Sequence, residues 1–426
     1  MPLTAPGLDI DPYPMTTGVL RNPDFLRFMG SHLANEFGAN IARVALPLVA
    51  VLSLHASPLE VGALAALQSA AFLIIGLPAG VWVDRLRKRR VMMLADAGRF
   101  LLLSSIPLAA ALGVLSMPVL YTVALLAGLA QVFNDVADPT YLPALLGKEE
   151  LTDGNAKLEV VRNGGALAGP SLGGALVQLL GAPRTMLATA LAALASAVFL
   201  GTIKKPDAAP VRSERSRLLP DIAAGMRAVW GDQVLRAFLA ATAATNICVS
   251  AVLSLSVLFL ATVVHLPPGF IGVLLMSGAM GGLLGGVLGA WLFRRYGQAR
   301  VTWLALALSS PFGLLLPMTE ADWRVSFFAL TSIALSFGGI LYNIGVITYR
   351  QTVMPENMLG RVNATVRFIV WGTMPVGALL GGIVAHEIGV REALWVFMAG
   401  RLVSFAPLLF SRLPRMRDFV KVQASS

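Results

Sequence analysis

LTDGNAKLEVVRNGGALAGPSLGGALVQLLG, residues 151–181, falls on LGRVNATVRFIVWGTMPVGALLGGIVAHEIG, residues 359–389, at a shift of 208 positions. Leu151, Asn155, Ala156, Gly164, Gly169, Gly173, Gly174 and Gly181 then meet identical residues. A second pair, GVWVDR (80–85) and GAWLFR (289–294), lines up at a shift of 209 and matches Gly, Trp and Arg. Two matches at nearly one shift indicate a chain built from two related halves.

Composition says what surrounds those halves. Apolar residues make up 56% of the chain, charged residues 13%, and the mean hydropathy is +0.74. An ordinary soluble domain is about 45–50% apolar and about 25% charged. A chain with half that charge cannot cover a soluble surface, so lipid must supply much of the solvent. The net charge of +10 does not point to nucleic acid, because Lys and Arg sit in short clusters between apolar stretches with no basic domain. The lone cysteine, Cys248, excludes intramolecular disulfides and multi-cysteine metal sites. It reads as a small buried apolar residue. The N-terminal MPLTAPGLDIDPYPMTTG has no basic segment before an apolar core, so it reads as a cytosolic tail rather than a signal peptide.

A helix needs about 20 apolar residues to cross a bilayer. Such stretches occur at 25–54, 59–83, 91–113, 117–143, 153–181 and 184–203, and again at 235–264, 268–293, 299–318, 323–350, 359–388 and 391–411. The expected fold is therefore an all-α integral membrane protein with twelve transmembrane helices in two six-helix bundles related by a pseudo-two-fold axis. Its parts are a tail at 1–24, a bundle at 25–203, a linker at 204–232, a second bundle at 233–411 and a tail at 412–426. With both termini in the cytosol, 24 of the 33 basic residues fall on the cytosolic side. Only Arg184, Arg324 and Arg391 fall outside, and the other six lie within spans. That bias fixes the orientation. In the linker, the stretch from Pro220 fits a short amphipathic helix with Ile222, Met226 and Val229 on one side, resting on lipid or on the protein.

GVWVDRLRKRR (80–90), between the second and third spans, resembles the signature loop of the major facilitator superfamily. Gly80, Asp84, Arg85, Lys88, Arg89 and Arg90 fit that pattern, and Arg87 replaces the usual glycine. In the second half Phe293 stands where the aspartate would be. In the fifth span Gly165, Gly169, Pro170, Gly173 and Gly174 resemble the superfamily's antiporter motif, which is associated with exporters. FNDVADPTYLPALLGKEELTDGNAKLE (133–159) is similar to the branch of drug, macrolide and siderophore exporters. The resemblance implies a secondary-active transporter. It further implies proton-coupled efflux of a small amphiphilic compound, Asp84 and the basic loop acting as a latch between the halves, and no bound cofactor. An importer or lipid carrier shares the fold and is the alternative. A membrane-embedded enzyme or sensor would want clustered ionisable residues at a membrane face or an extramembrane domain, and the sequence offers neither. The expected partners are the small-molecule substrate, protons and the lipid bilayer, with one chain sufficient for function and no nucleic acid.

Charges inside a membrane are costly, and each is a candidate for function. Glu36, Asn40 and Arg43 lie on one face of the first span, with Glu36 and Arg43 about 10 Å apart along the axis. They read as a cavity-lining stripe. Asp135 and Asp138 stand at i and i+3 in the fourth span, a spacing suited to a proton site. Glu36 is the first candidate for proton coupling, followed by Asp135 or Asp138. Asp96 with Arg99 and Glu159 with Arg162 read as structural ion pairs. Arg367 and Arg401 are placed to pair with a carboxylate on another helix. His32, His55, His265 and His386 show no metal-ligand spacing. Trp82, Trp291, Trp303, Trp323 and Trp371 read as interface anchors. Phe72, Phe133, Met276, Met280 and Phe337 could line an apolar cavity or equally face lipid. The four-residue spacing of the fifth-span glycines predicts a close helix–helix contact, and Pro170 a bend.

Overall fold

The computed structural model describes residues 18–147, 149–207 and 226–419, with the side chains of all but Leu77, Val81, Asp84, Glu356, Asn357, Arg361 and Ala364. Among the described residues there are twelve long helices. The first half holds α1 (Pro23–Leu48), α2 (Pro58–Asp84), α3 (Lys88–Ala111), α4 (Met117–Leu145), α5 (Leu151–Leu180) and α6 (Ala182–Thr202). The second holds α7 (Gln233–Leu258), α8 (Pro268–Tyr296), α9 (Gln298–Ser309), α10 (Val325–Val353), α11 (Glu356–Ile388) and α12 (Val390–Val403). Eleven of these helices, some lengthened by 3-10 or π turns, contain a stretch long and apolar enough to cross a bilayer. The exception is α5, whose opening LTDGNAKLEVVRN is polar.

Local chemistry sets the helix ends. The Asn22 side chain accepts from the Asp24 and Phe25 amides ahead of α1, and Pro23 supplies a first residue that needs no donor. Ser57 and Glu60 form a reciprocal capping box at the start of α2. Asp232 accepts from the Leu235 amide at 2.8 Å to begin α7.

The repeat is visible in the backbone. α1 runs into a π turn at Val49–Ser53, and α7 into one at Phe259–Val263. Each is followed by a histidine in the left-handed region, His55 at φ 52° and His265 at φ 59°. The hydrogen bonds that close the two turns also match, Ala56 N to Ala50 O at 3.0 Å and Leu266 N to Leu260 O at 2.9 Å. Gly181 at φ 82° and Gly389 at φ 101° make the same sharp joint after α5 and after α11. A side chain at either position would be strained.

Within the first half, α1 packs on α5 and α6, α3 on α4 and α6, and α2 on α4. In the second half, α10 packs on α8 and α9, and α11 on α7. The halves meet through two broad contacts, α5 on α8 and α2 on α11. The repeat carries α5 onto α11 and α8 onto α2, so these are one contact made twice. At the end of the molecule where the described residues begin and end (the termini end), each half has its own apolar core. Phe25, Phe28, Tyr141 and Leu200 centre one, and Phe238, Tyr349 and Val362 centre the other. At the far end a single core joins the halves, with Leu48, Val51 and Val177 of the first packed among Leu255, Phe259 and Ile271 of the second. The molecule is closed at its far end, where the core is continuous, and split at the termini end.

The linker segment at 226–231 is helical and Val229 is fully buried, within the same second-half core as Val234 and Leu235. Its described part therefore packs on protein; Pro220 and Ile222 lie outside the described residues.

Candidate functional site

The fifth-helix glycines create the first part of the site. Gly165, Gly169 and Gly173 form a stripe against α1. A Cβ on Gly165 would come within 3.1 Å of Glu36 Cβ, one on Gly173 within 3.1 Å of the Ile41 carbonyl, and one on Gly169 would overlap Asn40. Gly174, one residue round the helix, faces α8, where its Cβ would come within 3.0 Å of Gly272 Cα. A Cβ on Gly272 would in turn overlap the Pro170 carbonyl. Small residues allow this backbone approach. The single motif therefore serves two contacts, one inside the first half and one between the halves.

Beside the stripe lies a cluster of ionisable groups. Glu36 is half-buried, with its carboxylate 4.0 Å from Arg162 Nε on α5 and 3.9 Å from His32 Nε2. His32 is buried, and its Nδ1 stands 3.5 Å from the Asp138 carboxylate on α4. One histidine thus bridges two of the expected carboxylates. Arg162 also pairs with Glu159 at 3.2 Å. Asp135 is exposed and accepts a hydrogen bond from Gln131 at 2.7 Å. Arg43 is exposed too, and donates a long hydrogen bond of 3.4 Å to Asn40. Asn40 corrects the expected stripe. It is buried beneath Gly165 and Gly169 and donates to the Glu36 main-chain carbonyl at 2.8 Å, so it packs helices and does not line a cavity.

Asp96 and Arg99 form the ion pair at 3.4 Å, but within a wider buried network. Asp96 is fully buried and accepts from Ser196 of α6 at 2.5 Å and from Asn134 of α4 at 2.6 Å. Arg99 donates to Asn35 of α1 at 2.6 Å. The carboxylate ties three helices, and Arg99 extends the network to α1. Removing one partner of such a group leaves a buried charge uncompensated. Asp96→Ala is expected to lower stability by about 3–5 kcal/mol, read as a fall in thermal unfolding temperature in detergent. A wild-type unfolding temperature would contradict this.

Asp84 closes α2, but its side chain lies outside the described residues, and so do its partners. Gly80 has open space around it. Arg85 is exposed. Lys88 donates to the Thr140 carbonyl near the end of α4 at 3.1 Å, and Arg89 donates to the Ile203 carbonyl at the end of α6. Cations are favourable at those helix ends because the terminal carbonyls lack helical partners. Two of the loop's basic residues thus brace their own half.

The second half lines an open cavity of about 740 Å³. Its wall includes Thr242, Asn246, Asn343, Arg350, Arg367 and Arg401, and no Asp or Glu among the described residues. Arg367 and Arg401 do not pair across helices as expected: neither has a carboxylate within ion-pair distance among the described residues. The Arg367 guanidinium lies 5.0 Å from the ring centres of both Phe72 and Trp371, which are themselves 4.4 Å apart. Phe72 belongs to α2, so this cation–π stack bridges the halves. Trp371 is accordingly a cavity residue and not an interface anchor. Met276 also faces a contact between the halves, accepting from Ser171 at 3.4 Å.

Sequence reasoning missed His32, Gln131 and the Arg162–Glu36 contact. The i,i+4 spacing of His32 and Glu36 was the available signal for the first.

Two helical bundles sealed together at one end, parted at the other, with ionisable groups and a cavity between the ends, define a membrane transporter. Residues 28–377 match the sequence profile of the Major Facilitator Superfamily, and the chain belongs to that family. It is 28% identical over 413 residues to the multidrug efflux pump Tap of Mycolicibacterium fortuitum, covering 94% of this chain and 98% of that one. Likeness to Tap of Mycobacterium tuberculosis (strain ATCC 25618 / H37Rv) is 29% over 416 residues, covering 93% and 95%. In fold it is similar to a bacterial homologue of the iron transporter ferroportin in an inward-facing state, with a TM-score of 0.73 at 18% identity over 92% of this chain and 98% of the other. It is also similar to the nucleoside transporter NupG, with a TM-score of 0.72 at 15% identity over 91% and 98%.

Proposed function

We propose that this chain exports small amphiphilic compounds across the cytoplasmic membrane in exchange for protons. Both termini are in the cytosol, and a single chain suffices. The likeness to Tap over nearly the full length of both chains supports export, as does the glycine–proline motif of α5. The basic residues at the termini end support the orientation. In that orientation the split end faces the cytosol, ready to take up cargo from the cytosol or the inner leaflet.

The observation that carries the coupling is the position of Glu36. Its carboxylate faces the Arg162 guanidinium and the His32 imidazole, while its own Cβ rests on Gly165 of α5. Protonation removes the charge that holds Arg162, and so loosens α5 on α1. Nine residues further along α5, about 14 Å, Gly174 forms the far-end contact with α8. A proton gained or lost at Glu36 thereby biases which end of the molecule is open. His32 passes the change to Asp138, and Asp135 remains exposed as the next carboxylate in reach of cargo.

Cells lacking other exporters test the direction. Expression of the chain is expected to lower the steady-state level of an amphiphilic fluorescent dye several-fold, about 3- to 10-fold for a gradient-driven pump. Raised dye levels would identify an importer and overturn the reading.

A further inference from the structure

The second-half cavity has a charge pattern that the transport cycle described above does not use. Arg401 is 2% exposed, lines the cavity, and its Nε has no hydrogen-bond partner. Arg350, half-buried on the same wall, has an unpartnered Nε as well. Arg367 completes the wall, its guanidinium set against the paired rings of Phe72 and Trp371. A guanidinium stays protonated in proteins, so Arg367 and Arg401 are two positive charges at membrane depth, with Arg350 a third near the termini end of its helix. Burying an unpaired charge is expensive, and proteins retain such groups where they meet a ligand. The carboxylates that would neutralise them are on the other side of the molecule: Glu36, Asp96, Asp135 and Asp138 all belong to the first half.

We infer that the second-half cavity is a subsite for an anionic group, a carboxylate or phosphate, carried by the cargo. The planar guanidinium of Arg401 offers two parallel donors that fit such a group. Arg350 adds charge from the same wall, and Val370, Trp371 and Met374 offer an apolar face to the rest of the molecule. Thr242, Asn246 and Asn343 supply uncharged donors around it. The cargo is then an amphiphile bearing an acidic group, and the first-half carboxylates Glu36 and Asp135 are placed to meet any cationic group it also carries. This inference rests on the export reading only in taking the ligand to be the cargo.

Binding to the purified full chain in detergent tests it without any gradient. The probes are dansyl-leucine, a carboxylate, and its uncharged methyl ester, followed by dansyl fluorescence. The wild-type protein is expected to bind the acid about tenfold more tightly than the ester, the size of one charged hydrogen bond. Arg401→Gln is expected to abolish the preference and Arg401→Lys to keep part of it. Arg350→Gln, at a less buried position, is expected to reduce it, so a poorly folding Arg401 variant leaves the test intact. Equal affinity for acid and ester in the wild type, tighter binding of the ester, or no binding of either at millimolar concentration would overturn the inference. So would an acid preference unchanged in Arg401→Gln. Gradient-driven movement of the ester in vesicles reads the export mechanism separately, and its loss leaves the anion subsite standing.

Discussion

Gly174→Val is expected to reduce transport about a hundredfold while the protein still folds and reaches the membrane. Its neighbours across the contact are backbone: the Pro268 carbonyl and Gly272, whose Cα would lie 3.0 Å from the new Cβ. Backbone cannot swing aside as a side chain can, so the far ends of α5 and α8 must separate. Overpacking of this kind costs about 1–3 kcal/mol. An equilibrium moves tenfold for each 1.4 kcal/mol, so a cost of about 3 kcal/mol moves it about a hundredfold. The cost falls on one conformation only, the one closed at the far end. The repeat-related position Gly382→Val is expected to act alike, since its Cβ would come within 2.9 Å of Gly62 Cα and of the Pro58 carbonyl. Transport of a dye in cells measures the loss. A cysteine placed at Ser256, which is buried and lines the cavity, reports the conformation in a chain whose Cys248 has been replaced. A membrane-impermeant maleimide added outside is expected to label it in Gly174→Val and not in the parent. Normal transport with no labelling would show that the far end does not need to close through this contact.

The second large effect belongs to Glu36→Gln. The amide keeps the size and packing against Gly165 but cannot exchange a proton. Transport driven by a pH gradient is expected to fall at least about tenfold, in line with the loss of a positioned proton-transfer group, while cargo binding changes little. His32→Gln is expected to weaken the pH dependence without removing it, because Arg162 still faces the carboxylate at 4.0 Å. An unchanged pH dependence in Glu36→Gln would remove this residue from the coupling and leave Asp135 and Asp138 as the carriers.

How much of this was legible depended on the range of the interaction. Helix number and order follow from the length of apolar stretch a bilayer demands, and each helix begins within a few residues of the stretch that announced it, although α9 gives way to a 3-10 helix after Ser309 and α12 ends at Val403. The glycines of α5 announced a close contact by their spacing. Which helices they touch did not follow, because Gly173 and Gly174 are adjacent in sequence yet face α1 and α8 respectively. That split depends on the rotation of α5 about its own axis, which neighbouring helices set. Asn40 was misread for the same reason: the polar face of α1 is partly turned under α5. The π turns before His55 and His265 carried no glycine to mark them. The Asp96 network and the Phe72–Arg367–Trp371 stack join residues far apart in the chain, and no local pattern reports such meetings. Arg401 kept its ambiguity in sequence, since an arginine within a span reads equally as half of an ion pair or as a waiting ligand group. Only the location of every nearby carboxylate distinguishes the two.

Inverted membrane vesicles with an imposed pH gradient, acid inside, test proton-driven export most directly. The account predicts that an amphiphilic dye accumulates in vesicles containing this chain, that a protonophore collapses the accumulation, and that Glu36→Gln vesicles accumulate none. Accumulation that persists with no ion gradient present would contradict it.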